Sequence, residues 1–169
     1  MPHARAVLWD LGHTLVDWDP RRVYRQLLPD EDAVERFLGG VCTMAWHARH
    51  DAGVSMADNR AALIEAHPDK ADLILAWDTR WPEMFDGWVT GMEAIVLGLE
   101  AKGIPQYALT NLPAEKWPHI IETYPAVARF ETHVVSGQEG VTKPDPRIFE
   151  TAAARMAHDP GETVFFDDR

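Results

Sequence analysis

The sequence has almost nothing with which to crosslink itself. It contains one cysteine, Cys42, in 169 residues, which excludes an intramolecular disulfide and a thiolate metal cluster. Cys42 reads as a small buried apolar residue. Positive charge is scarce as well: 16 Lys and Arg against 27 Asp and Glu leave a formal net charge of −11. An acidic surface repels nucleic-acid backbones and anionic lipid, so neither is expected as a main partner. A small anionic substrate stays compatible, because a local site can be positive on a negative protein. Long apolar runs are missing too. No stretch approaches the ~18 residues needed to span a bilayer. The run Ala6 to Trp9 is shorter than the roughly 7–15 apolar residues of a secretory leader, so a cytoplasmic location is expected.

What is present is ordinary globular composition, 46% apolar and 25% charged, on a chain long enough for one core and a modest insertion. No internal repeat or low-complexity segment interrupts it. Arg5 to Trp9 reads as a short buried strand, and Asp10 to Pro20 as a loop. From Arg21 to about Trp88 the apolar spacing is helical, with Val23, Leu27 and Leu28 on one face and Ala33, Phe37 and Val41 on another. Ser55 suits a helix N-cap, and Pro68 a first helical turn.

Beyond that block the pattern alternates. Helix is expected over Gly91 to Lys102, ending at Gly103, then over Pro113 to Thr123 and Pro146 to Ala157. Strands are expected at Gln106 to Leu109, His133 to Val135 and Thr163 to Phe166. Such alternation implies an α/β fold, a doubly wound parallel sheet covered on both faces. The long helical block makes residues 19–88 an inserted helical cap, with 1–18 and 89–169 forming the core.

Ligands of open parallel sheets bind at the carboxyl ends of the strands. The residues that follow the predicted strands are Asp10, Thr110 with Asn111, and Asp167 with Asp168; Lys143 lies in the loop after the His133 strand. Any one of these alone would pass as a solvated loop residue. Their convergence on one sheet edge points to chemistry.

The same positions carry a family resemblance. Val7-Leu-Trp-Asp-Leu-Gly-His-Thr-Leu15, Ala108-Leu-Thr-Asn111, Thr142-Lys-Pro-Asp-Pro-Arg-Ile-Phe149 and Val164-Phe-Phe-Asp-Asp168 resemble, in order, the four motifs of the haloacid dehalogenase-like hydrolases, whose core is Rossmann-like. The sugar-phosphate phosphatase branch, glucose-1-phosphate phosphatases in particular, is the most similar. The resemblance implies that Asp10 is the nucleophile, forming an aspartyl-phosphate that splits one hard step into two. It implies a Mg²⁺ cofactor held by Asp10, Asp168 and the backbone carbonyl of Gly12, with Asp167 beside it or trading places with Asp168. Lys143 would neutralise Asp10 and the transferring phosphoryl group, while Thr110 and Asn111 would donate to phosphoryl oxygens.

Gly12 departs from the family. Phosphatases commonly carry there a second Asp that transfers protons, a group typically worth ~10²–10⁴-fold in rate. A good leaving group, His13 or a cap residue would have to stand in. Metal-independent 2-haloacid dehalogenases also lack that Asp, but Asp167 and Asp168 beside Asp10 would repel one another without a cation between them. A non-catalytic binding domain is the third reading, fed by Gly12 and by the position of Arg169 directly after the last motif. The family continues there with a helix and a strand, so the C-terminal end of the core is expected to be incomplete in this sequence.

By the same resemblance the cap selects substrate, here a small phosphorylated molecule, expected to be a sugar phosphate. In Trp46-His-Ala-Arg-His50, Trp46 and His50 share a helix face, so a ring can pack on the sugar while His50 or Arg49 bonds its hydroxyls. The other reading is that Trp46 packs inside the cap and His50 is solvated. Trp77, Trp81, Phe85 and Trp88 read as cap and hinge core, and His47 as structural or exposed. Oligomeric state is not legible in the sequence.

Overall fold

The computed structural model describes residues 4–168. Its centre is a four-stranded, all-parallel sheet of β1 (Ala6–Trp9), β4 (Gln106–Thr110), β5 (Thr132–Val135) and β6 (Thr163–Phe166), ordered β5-β4-β1-β6. A second, two-stranded antiparallel ribbon pairs β2 (Val16–Trp18) with β3 (Phe85–Trp88).

The side-chain period of two sorts the sheet's residues onto its faces. Ala6, Leu8, Tyr107, Leu109 and Val134 form one apolar cluster with Ile148 and Ala152 of α10 (Pro146–Arg155). Val7, Trp9, Ala108 and Val135 join the larger cluster on the other face. There they meet Val96 of α6 (Met92–Ala101), Ile120 of α7 (Trp117–Thr123) and Val127 of α8 (Pro125–Ala128). A short helix α9 (Ser136–Glu139) follows β5. Strands covered on both faces need to be apolar throughout, and β1 and β4 are buried at every position. Two polar groups in this interior satisfy each other: Trp9 Nε1 donates to Gln106 Oε1 at 3.0 Å, and Gln106 Nε2 donates to the Val96 carbonyl at 3.0 Å.

Helix α6 ends where the glycine signal places its end. Gly103 takes a left-handed φ of 66°, and its N–H and that of Ile104 donate to the carbonyls of Glu100 and Leu99. Between β2 and β3 the chain forms α1 (Arg21–Leu27), α2 (Glu31–Gly40), α3 (Met44–Asp51), α4 (Met56–Ala66) and α5 (Ala71–Thr79). Asp30, Thr43 and Ser55 each cap a helix by accepting from a backbone N–H three residues on. This is the inserted helical cap.

Two segments differ from the periodicity reading. Val16–Trp18 lies in the expected loop and Phe85–Trp88 at the end of the expected helical run, yet they pair as the ribbon at the cap's base. Neither has the length or alternation that announces a strand; each becomes one because the other lies alongside it, with Val16 opposite Trp88 and Trp18 opposite Phe85. No helix among the described residues is long and apolar enough to cross a membrane.

Candidate active site

The sheet order sets the site. The chain runs outward from β1 through β4 to β5, then returns to place β6 on the other side of β1. The crevice at such a reversal, beyond the carboxyl ends of the strands, is where doubly wound folds bind ligands. Asp10 directly follows β1 and Asp167 directly follows β6. The Asp10 N–H donates to the Phe166 carbonyl at 2.9 Å, fixing the two loops side by side.

Lys143 binds them together. Its Nζ lies 2.9 Å from Asp10 Oδ1 and 2.6 Å from Asp167 Oδ2, with all three side chains mostly buried. Asp10 Oδ1 also accepts from the Leu11 N–H at 2.7 Å. Burial pushes the Asp10 carboxyl above its ordinary range, and the Lys143 ammonium opposes that shift. Lys143 is in turn held by Asn111: the Lys143 N–H donates to Asn111 Oδ1 at 2.8 Å, and Asn111 Nδ2 donates to the Lys143 carbonyl at 3.1 Å. Asn111 thus clamps the backbone of Lys143 as well as facing the cavity. Thr110, the last residue of β4, is 2% exposed and lines the same space.

Oxygens of Asp10, Asp167 and Asp168 all lie within 4.8 Å of one another. One ammonium among three carboxylates leaves an excess of negative charge. Oxygen donors in that arrangement fit a hard divalent cation such as Mg²⁺, which favours carboxylate and carbonyl ligands. Gly12 lines the site, in a tight loop where His13 takes a φ of 59° and donates its N–H to the Val16 carbonyl.

Above this cluster opens a cavity of about 760 Å³ that reaches from the strand ends to α3 and the ribbon. Trp46 and His50 do not line it. Trp46 is 9% and His50 1% exposed, both inside the cap, where Trp46 Nε1 donates to the Asn59 carbonyl. The expected sugar contacts from these two residues are therefore corrected. A helix face three and four residues wide can turn inward as readily as outward, and here Trp77 supplies an edge-to-face partner for Trp46 at 5.4 Å.

The cavity wall comes from the next positions on the same helix. Met44, His47, Ala48 and Asp51 line it, together with Trp18, Trp81 and Phe85. His47 carried no sequence signal beyond its place one residue after Trp46; Trp81 and Phe85, read as hinge core, are also wall residues. His47 stacks on Trp18 at 5.4 Å and ends a buried polar chain. Asn59 Nδ2 is fixed as a donor by the Trp46 carbonyl, so His50 Nε2, 2.9 Å away, accepts from it. The His50 proton then sits on Nδ1, facing His47 Nδ1 at 3.5 Å. That leaves the His47 proton on Nε2, 3.5 Å from Asp51 Oδ1. Burial holds both imidazoles neutral, His47 pushed down to about 3 with help from the neighbouring His50, and His50 to about 4.

A family model described as haloacid dehalogenase-like hydrolase matches residues 4–169. Among curated proteins, the sesquiterpene phosphatase astK of Aspergillus oryzae is 28% identical over 78 residues, which are 46% of this chain and 40% of that protein. The chain thus spans less than half the length of that relative. Among solved structures, a HAD family enzyme from Bacteroides thetaiotaomicron matches with a TM-score of 0.74 at 22% identity, covering 99% of this chain and 85% of the other. The same enzyme in complex with magnesium and inorganic phosphate matches with a TM-score of 0.70, also at 22% identity, over 98% of this chain and 85% of that one.

Proposed function

The chain belongs to the haloacid dehalogenase-like hydrolases, and from that footing we propose that it is a Mg²⁺-dependent phosphatase of small phosphate monoesters. The observation that carries this reading is the buried Asp10 carboxylate, paired with Lys143 at 2.9 Å inside a cluster of three carboxylates on a cavity floor. The phosphatase name of the Aspergillus oryzae relative and the magnesium and phosphate bound by the Bacteroides thetaiotaomicron enzyme support it.

In this reading residues 1–18 and 89–169 are the catalytic core and 19–88 the cap that encloses substrate. The Asp10 carboxylate attacks phosphorus. The bond from phosphorus to the alcohol oxygen breaks, that oxygen leaves with the bonding pair and takes up a proton, and Asp10 carries the phosphoryl group. Water then attacks the same phosphorus, its proton is lost, and inorganic phosphate leaves with Asp10 restored. Lys143 lowers the repulsion between the attacking carboxylate and the phosphoryl oxygens. Thr110 and Asn111 donate to those oxygens from the end of β4. Asp10, Asp168 and the Gly12 carbonyl would hold Mg²⁺, with Asp167 bonded to Lys143; the cation supplies charge neutralisation at the transferring group. Metal-free dehalogenation accounts for the Lys143 bridge between Asp10 and Asp167 but gives the third carboxylate, Asp168, no role. The sugar-phosphate version of the reading keeps its motif resemblance but loses the cap contacts expected from Trp46 and His50, which do not line the cavity.

Phosphate release from p-nitrophenyl phosphate tests the proposal. Release is expected with Mg²⁺, absent with EDTA, and reduced on the order of 10⁴-fold or more in Asp10→Asn. Turnover by a folded Asp10→Asn protein at the unaltered rate would overturn it.

A further inference from the structure

We infer that the ester this site takes carries one phosphoryl group on an apolar body: the monophosphate of a hydrophobic alcohol, with no second anionic group. The inference rests on the phosphatase reading and adds the substrate class. Two separated chemistries make up the cavity. The ionic and hydrogen-bonding groups, Asp10, Thr110, Lys143, Asp167 and Asp168, sit at the strand ends. The remaining wall is chiefly apolar, with Trp18, Met44, Trp81, Phe85 and Ile120, and its polar members are His13, His47 and Asp51.

Cations are the first constraint. Among the described residues lining the cavity, Lys143 is the sole Lys or Arg, and it already spans Asp10 and Asp167. A second phosphate or a carboxylate on the substrate would lose its hydration and meet rings, Asp51 and no positive side chain, which burial penalises heavily. Hydroxyls are the second constraint. A polyol needs a partner for each group it desolvates. The indole nitrogens of Trp18 and Trp81 are buried out of reach, so those rings show the cavity carbon. The two nitrogens of His47 face His50 and Asp51, so away from the strand ends the Asp51 carboxylate and His13 are the few wall groups that could meet hydroxyls, too few for a polyol. The cavity measures about 760 Å³ in all, so beyond its ionic end there is room for an apolar body whose burial is itself favourable.

The test compares primary-alcohol monophosphates of similar leaving-group acidity: n-octyl and benzyl phosphate against glucose 6-phosphate, glycerol 3-phosphate and a bisphosphate, each with Mg²⁺. The apolar esters should show a kcat/KM at least ~10-fold higher. Met44→Lys places a cation on the wall at a position 51% exposed, where folding tolerates it. It should narrow that preference severalfold and favour the bisphosphate relative to n-octyl phosphate. A preference of the unaltered protein for sugar phosphates or bisphosphates, or a Met44→Lys protein with an unchanged ratio, overturns the inference while p-nitrophenyl phosphate turnover leaves the phosphatase reading standing. Failure to hydrolyse p-nitrophenyl phosphate or any other ester overturns both.

Discussion

Lys143 brings its Nζ to 2.9 Å from Asp10 Oδ1, and the two side chains are only about a tenth exposed. Withdrawing the cation would leave Asp10 facing Asp167 in a poorly solvated place. Breaking such a pair from one side costs about 3 kcal/mol or more. Lys143→Met, which keeps the stem, should lower unfolding free energy by that order in a urea titration. Turnover should fall ~10²–10³-fold. A variant as active as the unaltered protein would remove Lys143 from the mechanism.

The three clustered carboxylates should respond to Mg²⁺ before any chemistry occurs. A ligand that binds only the folded state stabilises it by about 2.7 kcal/mol at a hundredfold excess over Kd, or roughly 5–10 °C in Tm at this chain length. Asp168 is exposed, so Asp168→Asn should fold normally and lose most of that shift. Equal Mg²⁺-induced shifts in the two proteins would show that Asp168 is not a ligand.

Much of this site was legible because its residues stand at the ends of strands. Asp10, Thr110, Asn111 and Asp168 stand at or just beyond the ends of strands read from short apolar runs, Lys143 follows β5 after the short helix α9, and the topology of a parallel sheet brings these segments to one edge. The cap was legible only as helices. Which face of α3 turns toward the cavity is decided by the rings of Trp77, Trp81 and Trp18, which are distant in sequence, so His47 and Asp51 gave no signal while Trp46 and His50 gave a false one. The ribbon strands were hidden for the same reason. Gly137 is a further case. A Cβ there would collide with the Ala114 nitrogen and come 2.7 Å from the Leu112 carbonyl, and Gly137 N–H donates to that carbonyl at 3.1 Å. It seats the loop that carries Asn111, a contact between segments that the sequence pattern does not announce.

The buried imidazoles of the cap make stability depend on pH. His47 and His50 are pushed from 6.5 down to about 3 and about 4, mainly by burial. Between those values and 6.5 the unfolded chain binds more protons than the native one. Stability is therefore full above about pH 6.5 and drains away as the pH falls toward 4 and then 3. In His50→Asn one titrating group is gone, and the slope of unfolding free energy against pH should drop by up to ~1.4 kcal/mol per pH unit in that window. An unchanged slope would mean that His50 is already protonated in the fold.

Gly12 offers the most direct test of how the leaving group departs. A Cβ at this position would meet nothing within 4 Å, and Gly12 does not need a left-handed φ, so a side chain fits. Nothing steric keeps the residue a glycine, and no proton donor stands there. The unaltered protein should then depend steeply on leaving-group acidity, favouring p-nitrophenyl phosphate far above alkyl esters. Gly12→Asp restores a carboxyl two residues beyond the nucleophile. It should raise kcat on alkyl phosphates by as much as ~10²-fold while changing p-nitrophenyl phosphate little, because general acid catalysis matters only when the leaving oxygen needs a proton. The readout is the slope of log kcat/KM against leaving-group pKa, measured with Mg²⁺ in excess to offset the added negative charge. A slope already shallow in the unaltered protein would show that His13, His47 or another wall residue donates the proton.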